Sequence, residues 1–176
     1  MVGAEFVMGS IPINHETILQ ALLDRDGSCR DFNFAERLSR QACINIIALI
    51  KRDWELNEGH DSDGNLISLE SIDSYLDQDT GSVHLIWNSH TKCPPHLQIY
   101  IFFDASDYFC ELTFFPDDFY VPYFDLSEFL HFLGNLVTVS GSKEYYLRYE
   151  DASWRHGEKA LKDSVIFSHS SFKLSP

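Results

Sequence analysis

The run Leu97-Gln98-Ile99-Tyr100-Ile101-Phe102-Phe103, the turn Asp104-Ala105-Ser106-Asp107 and the run Tyr108-Phe109-Cys110-Glu111-Leu112-Thr113-Phe114-Phe115 decide the fold of this chain. Successive side chains of a strand point to opposite faces, so a period of two marks a sheet. Leu97, Ile99, Ile101 and Phe103 alternate with Gln98, Tyr100 and Phe102. Tyr108, Cys110, Leu112 and Phe114 alternate with Phe109, Glu111, Thr113 and Phe115. Two such runs joined by a short polar turn predict an antiparallel hairpin. Large side chains in both phases predict a central hairpin, covered at least in part on both faces.

The same period extends upstream. From Ser82, Val83, Leu85 and Trp87 alternate with His84, Ile86 and Asn88, and Pro94-Pro95 separates this strand from the hairpin. Further back the period lengthens. A first helix is predicted after Asn14 as N-cap, with Ile18, Leu19, Leu22 and Leu23 as its apolar stripe and Asp26-Gly27 as its stop. A second is predicted from Asn33, with Glu36 at capping-box spacing and Leu38, Ala42, Ile46, Leu49 and Ile50 on its buried face. Residues 57–65 are polar and are expected to form a loop. Residues 65–79 fit either a short helix or an edge segment. Downstream, Asp125 and Glu128 repeat the capping-box spacing ahead of Leu126, Phe129, Leu130 and Leu133, a helix ending between Gly134 and Gly141. Strands are expected over 143–150 and 164–168. The resulting order, ααβββαββ, predicts an α+β fold: a mostly antiparallel sheet of about five strands with three helices packed on it. Residues 1–13 are set apart as a tail, its first ten partly like an expression remnant. Residues 14–176 are expected to form one domain, a length well within the range of about 50–250 residues.

Composition limits the class. A hydrophobic share of 44% and an aromatic share of 14% supply a core, so the chain is not a disordered one. No run approaches the roughly 18 apolar residues of a membrane span. No basic segment followed by an apolar one opens the chain, so a cytoplasmic location is expected, with Cys29, Cys43, Cys93 and Cys110 reduced. The formal net charge is −14, and it is unevenly spread. Between Asp53 and Ser142 lie sixteen carboxylates and one base, Lys92, whereas the flanks hold eleven acids against twelve Lys and Arg. A continuous excess of one sign attracts a cationic partner and speeds the encounter. The same charge also serves solubility. It opposes nucleic-acid binding, which wants a basic surface.

Motifs for chemistry are sparse. His90, Cys93 and His96 have the types and spacing of zinc ligands, but no second pair completes a four-ligand site and Lys92 sits among them. Asp61-Ser62-Asp63-Gly64-Asn65 begins like a calcium loop, yet Leu66 and Ile72 stand where that loop needs Gly and Glu. No Gly-x-Ser-x-Gly elbow, Gly-x-Gly-x-x-Gly turn, Walker loop or deaminase signature occurs. Neither a metal nor a cofactor is expected. What is left is binding. Asp61, Asp63, Asp104, Asp107, Asp117 and Asp118 lie in predicted loops, and Asp125 is discounted as a helix cap. Tyr146 and Arg148 share one strand phase, with Trp154 and Arg155 in the loop after it. Tyr, Trp and Arg dominate binding interfaces. The competing assignment for Tyr146 and Arg148 is packing and a cross-strand ion pair.

A small, acidic, aromatic-rich α+β chain with no catalytic motif resembles the immunity proteins of bacterial polymorphic-toxin systems, the partners of contact-dependent, type VI and Rhs-type toxins. The residues nearest to that resemblance are the acidic middle and the segment Tyr146 to Arg155. It implies a non-enzymatic inhibitor in bacterial competition that binds a cognate protein toxin with a basic surface and occludes its active-site groove. Neither nucleic acid nor membrane would be a partner. The alternative is a small metal-binding protein or enzyme built on His90, Cys93 and His96.

Overall fold

The computed structural model describes residues 14–150 and 165–168. In chain order these form α1 (His15–Leu23), β1 (Arg30–Phe34), α2 (Arg40–Ile50), β2 (Glu55–Asp61), α3 (Leu69–Tyr75), β3 (Thr80–Asn88), β4 (His96–Asp104), β5 (Asp107–Phe114), a 3-10 turn (Pro116–Phe119), α4 (Leu126–Ser140), β6 (Tyr145–Tyr149) and β7 (Val165–Ser168). The α+β class and the antiparallel sheet are as the alternation predicts, but the element count is corrected: the described residues hold seven strands and four α-helices. The two extra strands are β1 and β2. The segment expected to open the second helix at Asn33 is instead β1, and Ser39 caps α2 by accepting from the Ala42 amide at 3.1 Å. The polar segment expected as a loop is the strand β2. Residues 65–79 resolve as the short helix α3.

All seven strands join one sheet in the order β2-β3-β4-β5-β1-β6-β7, every neighbouring pair antiparallel. The predicted hairpin β4–β5 lies inside it, with Asp104 opposite Asp107 and Ala105 in the left-handed region at φ 52°. β1 comes early in the chain yet sits between β5 and β6.

One phase of the strands builds the core, with the edge strand β2 adding only the partly buried Leu56. Phe32, Phe34, Val83, Leu85, Trp87, Leu97, Ile99, Ile101, Leu112, Phe114 and Leu147 are buried in one cluster with Ile18 and Leu22 of α1, Cys43, Ile46 and Ile50 of α2, Ile72 of α3, and Phe129 and Leu133 of α4. The helices therefore present their apolar stripes to a single face of the sheet. The caps hold as predicted at two of them. Asn14 accepts from the Glu16 amide at 3.0 Å, and Asp125 accepts from the Glu128 amide at 3.0 Å. α4 ends on Gly141 at φ 70°, a left-handed turn that glycine adopts without penalty. Arg30, on the core phase of β1, is fully buried. Its guanidinium donates to the carbonyls of Ala21 and Asp24 at 2.6 Å each and lies 4.3 Å from the Tyr149 ring centre. It thus puts a cation on the negative end of α1. No helix among the described residues is long and apolar enough to cross a membrane.

Candidate interaction surface

The second phase of the strands faces away from that core. Its register can be followed straight across the sheet: His60 is opposite His84, then Tyr100, Glu111, Asn33, Tyr146 and Ser168. A parallel row runs Glu58, Ile86, Gln98, Thr113, Asp31, Arg148 and Val165. The two halves of this face differ. At β1 and β6 the side chains of Asp31, Asn33, Tyr146 and Arg148 are buried. At β3 and β4 His84, Gln98 and Tyr100 are half-buried, and Phe102 is 38% exposed.

The buried half is a charge network. Arg148, 2% exposed, approaches Glu111 at 2.9 Å and Asp31 at 3.2 Å through one nitrogen, and donates to Asn33 Oδ1 at 3.0 Å. Thr113 donates to the other oxygen of Asp31 at 2.8 Å. Two carboxylates thus share one guanidinium. Burial raises Glu111 to about 7, with the nearby Asp31 pushing the same way and Arg148 opposing. Burial also raises Asp31, against the pull of Arg148 and Thr113. Of the two assignments open for Arg148, the cross-strand ion pair is the one present. Tyr146 is 6% exposed, between Asn33 and Ser168. Neither is a surface contact in this state. Trp154 and Arg155 lie outside the described residues.

The more open half is an aromatic stack. The rings of His84 and Tyr100 are parallel, 4.2 Å apart, and Tyr100 and Phe102 follow at 6.5 Å. Gln98 Oε1 accepts from the Tyr100 hydroxyl and meets His84 Nε2, both at 2.8 Å, which holds the two rings upright. Phe109 lies directly opposite Phe102. Sequence alternation set Gln98, Tyr100 and Phe102 in one phase and His84 in one phase of the preceding strand, but their stacking requires the register between β3 and β4. Asp31 carried no signal and Asn33 read as a helix start, because β1 was not legible as a strand.

The predicted acidic contacts fall at two opposite ends of the sheet. Asp104 and Asp107 close the β4–β5 hairpin, and Asp61 and Asp63 lie beyond the matching end of β2. Asp73, Asp77 and Asp79 border the same end: Arg40 joins Asp73 and Asp77, and Arg37 meets Asp107 at 2.7 Å. Asp117 and Asp118 follow β5 at the far end, where Asp117 pairs with Arg25 at 3.0 Å and Asp118 with His96 at 2.7 Å. A strand as long as β4 separates these ends by roughly 27 Å at about 3.4 Å per residue, several times the Debye length of about 8 Å. The six aspartates therefore do not act as one patch, and bases from the flanks neutralise part of each group. Asp104 has no ion pair among the described residues.

Among the described residues no three His, Cys, Asp or Glu side chains converge as metal ligands. His96 turns to Asp118, the Cys93 thiol is 3.5 Å from the Asp118 carbonyl, and burial raises Cys93 to about 12, so it is a thiol and not a thiolate at neutral pH. A cleft of about 430 Å³ opens beside Cys93 between the end of α2 and α4, floored by Trp54 and Phe132, whose rings are 4.9 Å apart. Arg52 and Lys92 line it together with Asp53 and Glu128, so it carries both signs.

No family model matches the chain, and no curated protein matches its sequence. The fold does match a solved one. A chain from the crystal structure of the toxic C-terminal tip of CdiA from Pseudomonas aeruginosa in complex with immune protein superposes at a TM-score of 0.55, over 85% of this chain and 97% of that chain, at 16% identity. The likeness is one of fold.

Proposed function

We propose that this chain is an immunity protein: a non-enzymatic, cytoplasmic single domain that binds a protein toxin and neutralises it by blocking a basic active-site groove. The observation that carries this reading is the shared fold with a chain of a toxin–immune-protein complex, over 97% of that chain. Two features of the molecule support it. β2 to β5 contain no Lys or Arg at all, and among the described residues the ion pairs at the end of the sheet bearing Asp61, Asp63, Asp73, Asp77, Asp79, Asp104 and Asp107 are made by Arg37 and Arg40. A residual negative field of this kind competes for a groove built to hold phosphates.

The test is protection. The toxin domain whose gene adjoins this chain's own is expressed in a susceptible bacterium with and without the chain. Growth restored by co-expression, and a stable one-to-one complex on gel filtration, are expected. The chain expressed by itself should leave growth unchanged. Growth arrest on its sole expression would move the protein to the toxin's side of such a pair.

A further inference from the structure

The cleft beside Cys93 has fixed walls and unused polar groups. α2 and α4 run antiparallel, with Asn45 reaching the Val139 carbonyl at one level and Trp54 against Phe132 at another. α2 stops at Ile50, so the first turns of α4, from Leu126, extend beyond its end. The space left there is the cleft, and Lys92 and Cys93 form its other wall. Hydrogen bonds hold that wall. Ser89 Oγ donates to the Asp53 carbonyl at 2.9 Å and accepts from the amides of Lys92 at 3.1 Å and Thr91 at 3.3 Å. The Trp54 indole donates to the Pro94 carbonyl at 2.9 Å. Floor and wall are therefore set before anything binds, which lowers the entropy lost on binding. The volume of about 430 Å³ falls within the range of roughly 300–1,000 Å³ usual for small-molecule sites.

Charge selects what the cleft would hold. Among the described residues, Arg25, Arg30, Arg37, Arg40 and Arg148 each meet a carboxylate, whereas Arg52 meets none. Lys92 is already 3.9 Å from Asp53. On the α4 side, the Glu128 carboxylate meets no cation, and the side chains of Ser127, His131 and Asn135 make no hydrogen bond, among the described residues. An unanswered cation and an unanswered anion thus line opposite walls above an aromatic floor. We propose that this cleft binds a small aromatic zwitterion, an α-amino acid with a flat side chain. Its ring packs on Trp54 and Phe132, its carboxylate meets the Arg52 guanidinium and its ammonium meets Glu128. A ligand that is only an anion leaves Glu128 unanswered, and one that is only a cation brings like charge to Arg52 and Lys92. The site goes beyond the immunity reading and does not depend on it. It lies where β3 ends and β4 begins, at the end of the sheet away from Asp61, Asp63, Asp104 and Asp107.

The full chain is titrated by NMR with L-phenylalanine, which carries both charges, and with 3-phenylpropanoate and phenethylamine, which carry one each. The Trp54 indole and Asn135 side-chain amide resonances should move, with phenylalanine binding most tightly and phenethylamine least. Arg52 and Glu128 are exposed, so their variants should melt as the wild type does. Arg52→Gln should weaken phenylalanine and 3-phenylpropanoate about tenfold, the size of one hydrogen bond to a charged group, and leave phenethylamine no weaker. Glu128→Gln should remove the advantage of phenylalanine over 3-phenylpropanoate. Asn135→Trp, with its fold confirmed by melting, should fill the cleft and abolish binding. Resonances of Trp54 and Asn135 that stay still, three compounds that bind equally, an affinity unchanged by Arg52→Gln, or binding that persists in Asn135→Trp would each overturn the proposal. Toxin protection is read separately, so failure here leaves the immunity reading standing, and failure of that reading leaves this site standing.

Discussion

The two faces of this sheet are built from the same strands, yet they obey different physics. On the helix-covered face, Leu, Ile, Phe and Trp side chains fill one continuous cluster, and the buried cation Arg30 is satisfied by helix carbonyls. On the opposite face, Arg148 is shared by two carboxylates, and beside it aromatic rings stand half in water. The first face is stabilised by removing apolar surface from water, at about 25 cal/mol per Å². The second is held by charge pairing, which gives little net stability but makes the loss of one partner costly. Uniform apolar burial therefore marks the first face, and paired charge with stacked rings marks the second.

Experiments can break or sharpen this contrast. The largest effect is expected for Arg148→Ala, which strands Asp31 and Glu111 without their cation and should destabilise the fold by about 3–5 kcal/mol in urea unfolding. A near-neutral result would mean that water already reaches the network. On the other face, Leu130→Ala in α4 should cost roughly 2–5 kcal/mol through lost packing, with no dependence on pH. Removing the α4 cap with Asp125→Ala should cost about 1 kcal/mol.

A pH series separates the faces without mutation. Glu111 in the folded chain holds its proton to about 7, against an ordinary value of 4.5. Between those values the folded state binds more protons than the unfolded one, so stability should fall as pH rises through that window and level off above it. Glu111→Gln should flatten the slope, while Leu130→Ala should keep it. The smallest effect is reserved for the exposed rung: Asp104→Asn should stabilise the free protein by a few tenths of a kcal/mol, by removing a like-charge pair. A destabilising result would show that Asp104 has a structural partner.

Much of the helix-covered face was legible from residue order. The hairpin at 97–115, the strand at 83–87 and the α4 stripe are local patterns, and the Asn14 and Asp125 caps need only the next few residues. β1 and β2 were not legible, for different reasons. Arg30-Asp31-Phe32-Asn33-Phe34 puts charged and polar groups among two phenylalanines, and it is a strand because β5 and β6, far along the chain, flank it. Glu55 to Asp61 has a single large apolar side chain, Leu56, and holds its conformation as an edge strand against β3. Of the candidate contacts, Asp104 and Asp107 lie at the ends of the β4–β5 turn, whereas Tyr146 and Arg148 are interior.

By itself, then, the residue order determined the alternation, the caps and the excess of negative charge, since each depends on neighbours within a turn or a strand. Only the tertiary structure decided that β1 lies between β5 and β6, that Arg148 closes on Asp31 and Glu111, and that Tyr100 stacks on His84. Those contacts join residues distant along the chain, and which side chains meet there is set by strand register, which no local pattern specifies.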